Sequence, residues 1–131
     1  MPDSYPVAPP PAPTTTPELA SRYVDVPSLP WVATRFPGVE WKILFEDKER
    51  GLLTTLMRWA PGAELPLHEH VEIEQTYVLE GAFEDHEGVA RAGQFVWRPR
   101  GSRPVARSPG GALMLAFFLR PNTFFDTAPP A

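Results

Sequence analysis

His68 and His70 are two of the three histidines in the chain, and one residue separates them. On an extended strand, side chains at i and i+2 point to the same face. Their Cα atoms then lie about 6.6 Å apart. Two imidazoles on that spacing can converge on one metal ion, with nitrogen bonds of roughly 2.1 Å. Glu74 brings a carboxylate further along the same stretch. On one straight strand it would sit about 20 Å from His68. A shared ion therefore requires the chain to turn at Val71-Glu72-Ile73, so that Glu74 opens the next strand. Glu72 is a competing ligand. A carboxylate buried beside two imidazoles is costly when no cation answers it; a divalent ion removes that cost.

The segments around this stretch have the texture of an all-β protein. From Tyr23 onward, short apolar runs alternate with Gly, Pro and charged turns. Val39-Glu40-Trp41-Lys42-Ile43 alternates as a half-buried strand should. The charged loop 46–51 leads into a strand over residues 52–59. The spacing predicts strands over 65–70, 74–80, 82–86, 89–92, 94–98 and 104–107. Residues 112–119 are apolar on both faces, so both faces need cover. No run of ten or more residues has a helical period. Many strands and tight turns argue for a sandwich or barrel.

The chain has 131 residues, enough for one domain with one core. Its net charge of −4, with both signs mixed, predicts no nucleic-acid partner. No apolar run approaches the roughly 18 residues of a membrane span, and no cleaved signal is expected. No membrane partner is expected, and a cytoplasmic location is the default expectation. With no cysteine, disulfides and thiolate chemistry are excluded. Eighteen prolines among these residues is about three times the usual frequency. Seven of them fall within residues 1–17, so residues 1–22 are expected to form a Pro-rich tail, disordered or arm-like. Thr16 could cap one helical turn beginning at Pro17. Residues 126–131 are expected to be a second tail.

The residues Gly62, His68, His70, Glu74 and Gly81 resemble, in every fixed position, the first motif of the cupin superfamily, G-x5-H-x-H-x3-E-x6-G. Gly93, Pro99 and Gly101 keep the frame of the second motif. Pro104 stands where that motif has a fourth metal ligand, and Ser108 where it has asparagine. Pro30-Trp31, Phe36-Pro37-Gly38-Val39-Glu40-Trp41-Lys42 and Ala60-Pro61-Gly62 are similar to ChrR-like cupins, the group of the anti-sigma-factor cupin domain. Residues 74–81 and 95–99 look more like the dihydroxyacetophenone-dioxygenase-like members.

The resemblance implies a single all-β domain over residues 23–125, a double-stranded β-helix or cupin jelly-roll barrel. It implies metal ligation by His68, His70 and Glu74, with Pro104 as a lost ligand position. Two histidines and one carboxylate match the facial triad of non-haem Fe(II) oxygenases. They also match the His2Glu set of hydrolytic zinc enzymes. Fe(II) is the leading expectation; Zn(II), Mn(II) and Ni(II) remain open. The implied activity is that of a dioxygenase on a small oxygenated or aromatic substrate, of β-diketone or hydroxyacetophenone type. The alternatives are a non-catalytic metal or small-ligand sensor module and a vestigial, metal-free barrel. A homodimer is expected. Candidate pocket walls are Met57, Trp59, Thr76, Trp97, Arg98 and Phe118. Arg98 or Arg107 could anchor a substrate carboxylate or enolate, whereas Arg103, like them, could be a solvated charge. His86, in Glu84-Asp85-His86-Glu87-Gly88, is expected at a surface turn.

Overall fold

The computed structural model describes residues 16–70 and 72–120, together with the backbone of Thr123–Phe124. Most of both expected tails lies outside the described residues. At Thr16 the expected helical turn is a bare turn, closed by a bond from Leu19 N–H to the Thr16 carbonyl.

The sequence alternation builds eleven strands: β1 (Val32–Ala33), β2 (Val39–Asp47), β3 (Leu52–Trp59), β4 (Ala63–Leu65), β5 (His68–Glu69), β6 (Glu74–Glu84), β7 (Val89–Arg91), β8 (Phe95–Arg98), β9 (Ala106–Ser108), β10 (Ala112–Phe118) and β11 (Thr123–Phe124). Among the described residues the one helical segment is a 3-10 turn at Val26–Ser28. Nine strands form one antiparallel sheet in the order β1-β2-β3-β10-β6-β9-β4, with β7 and β8 also on β6. β5 and β11 pair separately. The sheet curls on itself as a single-domain jelly roll.

β6 is the axis of the fold. Its first half pairs with β10 and β8, its second half with β7 and β9. The sequence predicts two strands here, broken at Gly81. The structure has one. The register slips against Leu113/Met114 and leaves Leu79 unpaired, a bulge at which the strand bends from one half of the barrel into the other. Gly81 has φ +72°, and a Cβ there would sit 2.1 Å from the Gly111 carbonyl oxygen. Only glycine lets the two backbones approach so closely.

The predicted strand over 65–70 is likewise two pieces. Pro66 has no N–H to give a ladder, so β4 stops at Leu65 and β5 begins at His68.

Inward residues alternate with outward ones. Val39, Met57, Trp59, Leu65, Val78, Phe83, Met114 and Ala116 fill the core. On the outer face, Phe95, Tyr77, Leu115 and Leu56 stand in one row across β8, β6, β10 and β3. Trp97, Gln75, Phe117 and Thr54 form the next row. Phe95, Trp97, Tyr77 and Phe117 are exposed, so the described residues leave the outer face of β10 open, where the apolar pattern calls for cover.

Toward the β2 edge, Trp31 lies beneath the Arg58 guanidinium, 4.1 Å from ring centroid to charge, and the Lys42 ammonium at 4.9 Å. Lys42 also donates to the Val26 carbonyl at 2.9 Å, which ties the entering chain to the sheet.

Candidate metal centre

His68 and His70 flank Glu69 at the end of β4-β5, and Glu74 is the first residue of β6. The carboxylate that opens β6 is thus brought back to the imidazoles. His68 and His70 are 3% and 1% exposed. Their rings meet edge to face with centroids 4.9 Å apart.

His68 and Glu74 are each held by a definite neighbour. Nδ1 of His68 lies 2.8 Å from the Pro66 carbonyl oxygen. A carbonyl can only accept, so Nδ1 carries the proton and Nε2 keeps its lone pair, the tautomer a metal ligand needs. Nδ1 of His70 lies 2.7 Å from Oε2 of Glu74. That approach is out of line for a hydrogen bond. Neither ring nitrogen of His70 has a well-directed partner among the described residues, although both are buried. The Thr76 hydroxyl donates to the other Glu74 oxygen, Oε1, at 3.1 Å.

Burial pushes the His68 imidazole below its usual pKa, more strongly than the Pro66 bond raises it; the neighbouring His70 lowers it further. Burial alone would raise the Glu74 carboxyl. Its contact with His70 and the charges of His70, His68 and Arg98 outweigh that and leave it below the usual value.

Arg98 is the cross-strand partner of Glu74 on β8. Its guanidinium donates to Oδ2 of Asp85 and packs 5.7 Å from the Phe83 ring centroid. The Asp85 side chain is 2% exposed. Its other oxygen, Oδ1, accepts the amides of Glu87 and Gly88 at 2.8 and 3.1 Å. Burial raises the Asp85 carboxyl, but the Glu87 amide, the Arg98 charge and the remaining bonds hold it below the usual value.

His68, His70, Glu74 and Arg98 line one small chamber of about 30 Å³, with Met57, Trp59, Leu65, Phe83, Ala106, Met114 and Phe118 as its walls. That volume is about one water's share of the liquid. Nε1 of Trp59 is buried and has no partner among the described residues.

Pro104 is buried, in alternation with Ala106 and Ser108, while Arg103, Val105 and Arg107 face out. Its carbonyl accepts the His68 amide at 3.3 Å. Position 104 therefore lies opposite His68 on the inner face. Opposite His70, whose amide bonds the Ser102 carbonyl at 3.0 Å, the Ser102 hydroxyl is buried without a partner among the described residues. The Ser108 hydroxyl ties β9 to β6 through the Ala82 carbonyl.

Of the expected pocket walls, Met57, Trp59, Arg98 and Phe118 line the chamber. Thr76 is buried beside it and acts through Glu74. Trp97 is a correction: it is 57% exposed on the outer face. Trp97 and Arg98 are neighbours on one strand, so only one can face inward. Arg107 takes the solvated-charge alternative rather than that of a substrate anchor. It faces out and pairs with Glu84 at 3.1 Å. Arg103 also lies outside, 2.9 Å from Glu69. Glu72 lies 3.6 Å from Arg100 and does not line the chamber. His86 is an exposed turn residue. Sequence reasoning missed Asp85. An Asp three residues before a glycine is a turn signal, but nothing in the sequence points its second oxygen at Arg98.

Among the described residues, no three His, Cys, Asp or Glu side chains already converge as a metal cage. The donor chemistry nevertheless fits a divalent ion. His68 has its lone pair set by Pro66, His70 has nitrogens without well-directed partners, and Glu74 is held in its ionised form.

Residues 19–121 match the family model of the ChrR cupin-like domain. None of the curated proteins matches the chain significantly. Among solved structures, a candidate acetylacetone dioxygenase from Methylibium petroleiphilum superposes with a TM-score of 0.76 at 22% identity, covering 90% of this chain and 91% of that one. The acetylacetone dioxygenase of Acinetobacter johnsonii gives 0.70 at 19% identity, covering 91% and 85%. The Rhodobacter sphaeroides complex of SigE with the anti-sigma ChrR gives 0.61 at 25% identity, covering 71% of this chain and 50% of that one. At the identities of the two dioxygenases, the likeness is one of fold.

Proposed function

The chain belongs to the ChrR cupin-like family, and on that premise we propose that it is a metal-dependent, dioxygenase-like enzyme acting on a small oxygenated carbonyl substrate. The observation that carries this reading is the buried trio at the chamber: His68 with its tautomer set by Pro66, His70 with no well-directed partner for its nitrogens among the described residues, and Glu74 ionised beside it. His68, His70 and Glu74 would hold the ion, with Fe(II) the leading choice for an oxygenase-type donor set. When bound, the ion supplies Lewis acidity toward a substrate oxygen and, if iron, the electron chemistry that O2 requires.

The protein's own part is orientation, charge and dryness. Thr76 fixes one oxygen of Glu74, leaving the other toward His70. Trp59 Nε1–H is available to an oxygen entering the chamber. Arg98, restrained by Asp85, places a positive charge on the wall that favours an enolate over the neutral ketone. Met57, Leu65, Met114 and Phe118 keep bulk water out.

Pro104 favours a second reading, a sensor module that binds a metal or small ligand without turnover, because it removes a donor from the inner face. Metal analysis of protein purified without chelators, followed by oxygen uptake on β-diketones and hydroxyacetophenones, separates the two. Bound metal with substrate-dependent oxygen uptake supports the enzyme. Bound metal without uptake on any of them supports the sensor.

A further inference from the structure

A second cavity of about 390 Å³ lies against the chamber. Met57, Leu65 and Phe118 belong to the walls of both. Its remaining walls include Val39, Trp41 and Leu53, and Arg35 and Phe36 stand at one side. The polar groups there are largely engaged. The Thr34 hydroxyl is placed to donate to the Val39 carbonyl at 2.7 Å, with the Phe36 carbonyl 3.3 Å away. The Arg35 guanidinium lies 4.9 Å from the Phe36 ring centroid.

The two volumes set the division of labour. The chamber at the histidines has room for little more than a water-sized group. Any organic substrate must therefore extend beyond it. The neighbouring cavity is large enough for more than a benzene ring, since an apolar cavity of about 150 Å³ already binds benzene. Of the shared walls, Met57 is an unbranched thioether that can rotate aside at low cost.

We infer that this cavity seats an apolar substituent of the substrate, so that the protein prefers aryl or long-chain β-dicarbonyl compounds to acetylacetone itself. This rests on the proposed function only for where the oxygenated end goes; the cavity's preference for an apolar group does not depend on the ion.

The test is direct binding to the chelator-treated full chain, followed by Trp fluorescence or calorimetry, with pentane-2,4-dione and 1-phenylbutane-1,3-dione as probes. The phenyl compound should bind about tenfold tighter or more, because its ring leaves water. Leu53→Trp fills the cavity from β3 without touching the chamber. It should remove most of that advantage and leave the affinity for pentane-2,4-dione within about twofold. Leu53→Phe is the milder variant should Leu53→Trp fail to fold, and it should reduce the advantage partway. Equal affinity for the two probes in the wild-type chain overturns the inference, as does a phenyl advantage that survives in a folded cavity-filling variant. If the phenyl preference holds while no metal binds and no oxygen is consumed, the cavity assignment stands and the oxygenase reading falls.

Discussion

Glu74 and Arg98 face each other across β6 and β8, yet the Arg98 guanidinium is bonded to Asp85. Both partners of that pair are nearly buried, with side chains 11% and 2% exposed. Asp85 thus restrains a cation that would otherwise compete with a metal ion for the Glu74 carboxylate. Replacing Asp85 by Asn keeps the acceptor shape but loses the charge. Affinity for divalent ions is expected to fall about 10- to 100-fold, the usual cost of removing an outer partner of a metal site. Titration of ion-free protein with Fe(II) or Zn(II) measures it. Unchanged affinity in a folded Asp85→Asn protein would mean that Arg98 and the ion do not compete.

The inward placement of position 104 gives the ligand set a second test. Pro104 faces the interior opposite His68, so Pro104→His aims its ring toward the existing donors. Affinities for Fe(II), Mn(II), Zn(II) and Ni(II) should run Pro104→His above wild type above His70→Ala. Equal, negligible binding by wild type and His70→Ala would show that the barrel holds no ion.

His68 and Glu74 give stability two windows of pH. His68 has a folded pKa below the usual imidazole value of 6.5, with burial as the main cause. Above that value the ring is neutral both folded and unfolded, and its contribution is complete. As pH falls below about 6.5 the unfolded chain takes up the proton first, so stability declines until the folded pKa is passed. Glu74, whose folded pKa lies below 4.5, contributes stability above that value and loses it in a more acidic window. The melting temperature of ion-free protein should be level near pH 7–8 and drop below about 6.5. A melting temperature level down to pH 5 would contradict the His68 assignment.

The open outer face of β8, β6 and β10 carries Phe95, Trp97, Tyr77 and Phe117. A contiguous apolar face of this kind is a mark of an interaction surface. We expect a second copy of the chain to cover it. Light scattering at micromolar concentration should give about twice the 14.6 kDa chain mass. Phe117→Lys should shift the mass toward that of one chain without unfolding it. A wild-type mass near 14.6 kDa rules the dimer out.

Much of this was legible in the residues themselves. The alternation of Val39 to Ile43 and the charged loop after it mark a hairpin of the sheet, and the H-x-H spacing with Glu74 marks three residues that line one chamber. The bulge at Leu79 was not legible, since the glycine at 81 reads equally well as the turn between two strands; only the register with β10 shows one continuous strand. Strand phase would have placed Trp97 outside once Arg98 was set inside, because neighbours on a strand cannot share a face. The Asp85–Arg98 contact joins a hairpin end to a separate strand, and no local pattern encodes such a meeting. The apolar cavity is also a product of assembly. Its walls come from β1, β2, β3, β4, β10 and the loop at 34–36.

The two prolines that bound β5 also bear on time. Pro66 stops β4, and Pro104 has no amide with which to lengthen the ladder opposite His68. His68 therefore sits on a strand two residues long, with His70 just past its end, while Val78 and Ala116 lie in the long paired strands of the core. Short, sparsely paired elements open far more often than the domain unfolds. An ion held by His68 and His70 would come and go at the rate of that local opening. The protein could be loaded, emptied and reloaded many times within the life of a single folded molecule.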